Sequence, residues 1–436
     1  MPIAGMGTCE QGLTIALTGA DAPPAKAVAQ ADPCASRAVT EHGETARHPP
    51  AGPAPTDSTR AGLAARHRDY LSRSHFGSLD GLRFICITAV IWHHMPVQPA
   101  ISARHLLASR GHTGVDFFFV LSGFLITTLL LREAAAKGRF SLRGFYWRRA
   151  LRILPIYLLV VGFATVYAVV LRGETEALGL VPYYLLFLSN FLAVEDIGFL
   201  SPTWSLAMEE QYYLIWPLLL TLLPRRLVVP GLVTLIAVNV AGVLGVFRAI
   251  GIVPVEVGPL RLALGGTTYA PILMGSLAAV LLHRPRGFAA ITPWLTFKAA
   301  PWLCLAALIA TLALAPPTLE GWPNLMVHSL MVLTLVSLVL REDNGMSGVL
   351  QFAPIRRIGQ VSYGVYLYHL FALALMMKLS EVLGISAWGW LMVSYYALAV
   401  GMAELSFRLF ESRFQALRHR GWGRPRPPRL PRLPAG

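Results

Sequence analysis

Charge and cysteine are both scarce in this chain. Only 14% of its 436 residues are charged, while 55% are apolar. Soluble domains carry about a quarter charged residues, so an ordinary soluble fold is excluded. The four cysteines, Cys9, Cys34, Cys86 and Cys304, stand without a CxxC or any metal-ligand spacing. Neither a disulfide framework nor a metal centre is expected. A secretory leader is not expected either, because no basic segment precedes the weak apolar run Leu13 to Leu17, and that run is too short. Acidic residues are outnumbered by basic ones, 23 to 37, which leaves a formal charge of +14. The excess does not point to nucleic acid. The arginines occupy the tails and the short loops between apolar blocks, as they do where topology and anionic lipid set their placement.

What the chain does have is long apolar blocks. Gly231 to Phe247, Ala299 to Ala315 and Leu325 to Leu340 are the plainest. A helix needs about 18 or more such residues, at ~1.5 Å each, to cross a ~30 Å hydrocarbon core. Apolar segments fall near 79–98, 112–131, 153–171, 181–194, 206–223, 228–247, 268–282, 299–316, 323–340, 361–380 and 388–410. Placing the N-terminal arginines in the cytoplasm puts the basic stretch Arg132 to Arg152 back inside. Arg225 and Arg226, His283 to Arg286, Arg356 with Arg357 and the C-terminal tail also fall inside, provided 181–194 dips in without spanning. The expectation is an all-α polytopic protein of the cell (inner) membrane, with about ten transmembrane helices, one re-entrant or interfacial segment and both termini cytoplasmic. Non-helical backbone at membrane depth survives only where protein or water satisfies it, so a re-entrant piece implies a cavity. Residues 1–76 lack periodicity and large apolar content and are expected to be disordered. Residues 77–415 form the membrane domain, and the Pro- and Arg-rich tail 416–436 is expected to be unstructured.

Polar residues inside such a bundle are costly and are candidates for function. The first segment carries Asp80, Arg83 and His94. Arg83 and His94 are eleven apart and differ by only about 20° around a helix, with roughly 16 Å between them along the axis. His93 points about 100° away. Taken alone, a histidine at a helix end is simply interfacial. The second segment brings Asp116 to the depth of His94, where a carboxylate could fix the imidazole tautomer that a base needs; a helix-start residue favoured by the macrodipole is the structural alternative. Ser122 and Gly123 suit close helix approach.

In FYWRRALRILPIYLL, Arg149 and Arg152 share a helix face with Arg148. Guanidinium forks match phosphate oxygens bidentately, although juxtamembrane arginines also set topology. SPTWSLAMEEQYYLIWPLLL places Glu209 and Glu210 in the first turns of an apolar helix, with Ser205 one turn before Glu209. A helix-start role explains one carboxylate and not both. Trp204, Tyr212 and Tyr213 read as interfacial aromatics. SYGVYLYHL adds Tyr363, Tyr366 and His369, the last a satisfied bundle histidine on the simpler reading.

Taken in order, these pieces resemble the acyltransferase-3 family of membrane O-acyltransferases, which modify sugars and some macrolides. The resemblance covers roughly residues 76 to 415. It rests on LDGLR, the Arg83 to His94 spacing, GVDFFFVLSGFLI, the RxxR of Arg149 and Arg152, TWSLAMEEQYY and SYGVYLYH. It implies transfer of an acyl group, commonly acetyl from acetyl-CoA, onto a hydroxyl of a carbohydrate or glycosylated acceptor. It also implies that His94 is the catalytic base or acyl relay, tuned by Asp116 and Glu209, and that Arg83, Arg149 and Arg152 favour the anionic CoA end. Asp80, Ser122, Trp204, Ser205, Glu210, Tyr363 and His369 would support substrate or structure. Some members carry an esterase-like domain after the last span. This sequence shows none, so transfer is expected to finish in the membrane domain or on a partner. A transporter or flippase of a lipid-linked sugar is the alternative class, weakened by the lack of an internal inverted repeat.

Overall fold

The computed structural model describes residues 57–96, 109–193, 196–263, 269–316, 319 and 321–417. Helices α1 (Asp57–Ser72), α2 (Gly77–His94), α3 (Thr113–Lys137) and α4 (Leu142–Val166, continuing to Leu171) come first. They are followed by α5 (Ala177–Leu185), α6 (Thr203–Leu222), α7 (Val228–Val243) and α8 (Ala270–His283). The chain continues with α9 (Pro285–Leu295), α10 (Ala300–Leu314), α11 (Trp322–Leu340), α12 (Ala353–Gln360), α13 (Ser362–Leu383) and α14 (Trp388–Ser406, continuing to Leu417). Local chemistry sets many of the ends. Pro271, Pro285, Pro301, Pro323 and Pro354 open α8 to α12, where the missing N–H costs nothing. Gly138 and Gly384 stop α3 and α13 in the left-handed conformation, at φ 75° and 65°.

The architecture is helical, as expected, apart from a small antiparallel hairpin pairing Val255–Val257 with Leu260–Leu262. Every apolar segment read from the sequence overlaps a helix, yet fewer of them meet the demands of a span. Five are long and apolar enough: α3, α4, α11, α13 and α14, the last two reaching Leu383 and Leu417. The pair α9 and α10, bent by 78°, makes at most a sixth. Helices α7 and α8 have 16 and 14 residues. The shorter covers about 21 Å of a ~30 Å core. The expected count of ten spans is therefore not reached on length and composition.

The 181–194 segment behaves differently from its neighbours. Helix α5 has only nine residues, Phe187 takes φ 55°, and a 3-10 turn covers Ser189–Phe191. A nine-residue helix rises about 13 Å and cannot cross. Gln211 on α6 satisfies this irregular backbone, donating to the Phe187 carbonyl at 2.7 Å and to the Asn190 side chain at 2.8 Å.

One expectation for the N-terminal region needs correction. Residues 57–72, assigned to a disordered extension, form α1; the remainder of that extension up to residue 56 lies outside the described residues, as does the tail from 418. The helix is held by contacts that its own periodicity does not show. His67 bonds the Leu282 carbonyl at 3.1 Å, and Tyr70 is buried against Phe76 and Phe288. From α3, Arg132 donates to the carbonyls of Tyr70 and Arg73, with its guanidinium 4.8 Å from the Phe76 ring.

The tightest helix contact joins α3 and α8. Gly123 faces the Ile272 carbonyl and Gly275 faces the Val120 carbonyl, each with no room for a Cβ. Small residues let the two backbones approach, as anticipated for Gly123. Replacing Gly275 with Val should force the helices apart and destabilise the fold by about 1–3 kcal/mol. Gly162→Ala, on a part of α4 with open space around it, should leave the midpoint unchanged or raise it. Thermal unfolding of both variants in detergent checks the contrast.

Candidate functional site

Helices α2, α3, α4, α6 and α13 enclose a cavity of about 270 Å³, completed by the linker residues Ser74, His75 and Phe76. Its polar wall contains Asp80, Arg83, Ser122, Arg149, Arg152, Ser205, Glu209 and Tyr363, all singled out in the sequence. It also contains Arg132, Tyr213 and Tyr366. A second groove of about 520 Å³ adjoins it, sharing Arg132, Arg149 and Arg152 and adding Lys137 and Arg148.

The cationic side is built by pairing. Asp80 is buried, accepts from Arg83 at 2.6 Å and from Gln360 at 3.2 Å, and lies 3.6 Å from His75. A carboxylate with these partners aims Arg83 into the cavity. Arg149 lies 3.4 Å from the centroid of the Tyr213 ring and 3.8 Å from Glu210, and its Nε is buried without a hydrogen-bond partner among the described residues. A desolvated cation over an aromatic face is worth about 2 kcal/mol. Arg148 and Lys137 both pair with Glu133, at 3.1 Å each.

The rest of the polar wall is made of hydroxyls and a carboxylate. Ser122 donates to Glu209 at 2.6 Å, so Ser122 is a carboxylate partner as well as a neighbour of the close contact at Gly123. Ser205 and Tyr366 share a hydroxyl–hydroxyl bond of 2.7 Å, and the Tyr366 hydroxyl reaches the Pro202 carbonyl at 2.8 Å. Tyr212 and Tyr213, read as interfacial, are buried: Tyr212 bonds Ser276, and Tyr213 lies under Arg149. Trp204 is 39% exposed with its ring edge-on to Phe119, as an interfacial residue would be.

His94, Asp116, Glu210, Trp204 and His369 do not line this cavity. At the far end of α2 from the arginines, the His94 ring lies 4.7 Å from that of His369, and its Nδ1 is 2.9 Å from the Val90 carbonyl. Asp116 was expected to orient His94. Its carboxylate lies instead 3.4 Å from His328 of α11, a partner the sequence did not suggest, and a backbone carbonyl holds the His94 ring. Matching depth along two helices gives height without direction around the axis. Arg132 was also missed as a site residue. Its place at the end of an apolar run, before a basic loop, reads as topology alone. Among the described residues no group of three His, Cys, Asp or Glu could hold a metal ion.

Comparison with known proteins gives the family. The family model described as an acyltransferase domain matches residues 76–403. The peptidoglycan O-acetyltransferase OatA of Listeria monocytogenes is 29% identical over 361 residues, covering 78% of this chain and 56% of OatA. The "Putative peptidoglycan O-acetyltransferase YrhL" of Bacillus subtilis is 28% identical over 377 residues, covering 79% of this chain and 56% of that protein. The chain thus spans a little over half the length of these relatives. No solved structure matches it significantly. With a family model covering most of the chain, and the motifs of α2, α3, α4, α6 and α13 gathered at one cavity, the chain belongs to the acyltransferase-3 family.

Proposed function

We propose that this chain moves an acyl group, acetyl in the first instance, from acyl-CoA to a hydroxyl of a carbohydrate acceptor. The observation that carries the proposal is the run of cationic side chains from the outer groove, through Arg149 and Arg152, to Arg83 inside a largely apolar cavity. Such a run suits a donor with a polyphosphate at one end and an acyl thioester at the other. Guanidinium forks bind phosphate oxygens bidentately, and the apolar lining accepts the acyl chain. A glycan of the peptidoglycan type is the acceptor suggested by the names of the relatives.

His94 serves as the base. Its Nδ1 faces a carbonyl, which only accepts, so Nδ1 carries the hydrogen and Nε2 offers the lone pair. The acceptor hydroxyl gives its proton to Nε2, the oxygen attacks the acyl carbonyl carbon, and the C–S bond breaks with its electron pair going to sulfur. Glu209, held by Ser122, and Asp116 tune the field around this step. In the topology we propose, both termini lie in the cytoplasm, the long apolar helices cross the inner membrane, and the 181–194 segment dips in without spanning. The donor then enters from the cytoplasm and the acceptor from the outer side.

Two outcomes follow. Detergent-purified protein given acetyl-CoA and glycan fragments should release free CoA in an acceptor-dependent way, with acetylated product seen by mass spectrometry. His94→Ala should lower that rate by about 10²-fold or more while the protein stays folded. Equal rates in the two proteins would remove His94 from the mechanism, and no release by folded wild type with any acyl-CoA would reject the reading. Arg149→Lys or Arg152→Lys, which keep the charge and lose the fork, should raise KM for acyl-CoA by about tenfold with a smaller change in KM for the acceptor. Initial rates at varied donor and acceptor measure the split.

A further inference from the structure

Two histidines from helices far apart in sequence meet in the same way. His94 closes α2, His369 lies in the third turn of α13, and their rings are edge-on at 4.7 Å between centroids. Each ring is pinned through Nδ1 to a backbone carbonyl of its own helix: His94 to Val90 at 2.9 Å, and His369 to Tyr366 at 2.5 Å. Since a carbonyl oxygen only accepts, both Nδ1 atoms carry hydrogen and both neutral rings present Nε2 as a lone pair. His369 is fully buried, and its Nε2 has no hydrogen-bond partner among the described residues. An unpartnered buried acceptor is uncommon enough to require a reason, and here it lies on a ring in contact with another imidazole.

We infer that His94 and His369 form a proton-sharing pair, in which His369 is the positioning residue that steadies His94 once it has taken a proton. The inference rests on the acyl-transfer reading above. When the acceptor O–H bond breaks, its electrons remain on oxygen and the proton joins the His94 Nε2 lone pair. The resulting imidazolium sits in a low-dielectric bundle 4.7 Å, ring centre to ring centre, from His369, whose Nε2 lone pair has no other partner among the described residues and accepts from the protonated ring once the two nitrogens align. The proton leaves the pair for the sulfur of the departing CoA thiolate, so the reaction needs no other acid or base. Tyr366 connects the two regions, since its carbonyl holds His369 and its hydroxyl meets Ser205 at the cavity wall. Other titratable groups near this pair are Tyr366, its ring 5.5 Å from that of His369, His93, 5.1 Å from the His94 ring, and His112, 5.3 Å from His93.

His369→Asn separates a structural role from this one, because an amide nitrogen near the Nδ1 position keeps a donor for the Tyr366 carbonyl while the Nε2 lone pair is lost. The expected result is a fall in kcat on the order of 10²-fold, with KM for donor and acceptor unchanged. Wild-type kcat in the folded variant would overturn the pair. A second measurement leaves His369 untouched: nitrogen NMR of histidine-labelled wild type and His94→Phe, which keeps a ring and removes the lone pair. On acidification, two Nε2 resonances should respond together in wild type, and the surviving one should titrate differently in the variant. Independent responses, unchanged in His94→Phe, would overturn the pair. Absence of acyl transfer by wild type that shows the coupled response would reject the reaction and leave the pair standing.

Discussion

A charged side chain inside an apolar bundle must find a partner, and this constraint organises the rest of the protein. Asp80 is buried because Arg83 and Gln360 answer it, and through Gln360 it ties α2 to α12. Glu209 enters α6 with Ser122 of α3 donating to it. Arg149 lies between the Tyr213 ring and Glu210, joining α4 to α6. The Asp80–Gln360, Ser122–Glu209 and Arg149 contacts cross between helices, so these polar residues fix how the helices are arranged. Removing one member would leave a buried charge unanswered, a larger loss than the bond itself.

Much of the helical plan was legible in the sequence because it follows from apolar run length and from proline and glycine at the ends. The short α5 was legible as a segment that fails to cross, from the sign of the loops around it. The number of spans was not, because α7 and α8 look like spans in a window of composition and are too short as helices, while α2 and α6 are long enough and not apolar enough. Eight of the chosen polar residues do meet at one cavity, since charges that an apolar helix cannot expose to lipid converge on its interior. What the sequence hid was direction. Asp116 matches His94 in depth and faces His328. Tyr213 looks like an interfacial aromatic and serves as the surface on which Arg149 rests.

Helix α1 shows a second kind of hidden information. Its own sequence carries little amphipathic pattern, and it is ordered by a residue some sixty positions later. Arg132 grips the chain just before α2 through two carbonyls and two aromatic rings, and in doing so seats Ser74, His75 and Phe76 in the cavity wall. A residue that reads as a topology signal therefore shapes the cavity and lines it as well.

The site has two ends of different chemistry joined by one helix. Arginines cluster where α2 begins, and histidines where it stops; between them stand the hydroxyls of Ser205 and Tyr366. Arginine keeps its charge in almost any surroundings and suits a permanent anion, whereas imidazole gains and loses a proton and suits a transient one. A permanent positive charge beside an imidazole opposes its protonation. Along α2, eleven positions and roughly 16 Å separate Arg83 from His94. One helix thus holds a group of fixed charge away from rings that can gain and lose a proton, a division of labour that the apolar run between Arg83 and His94 makes possible.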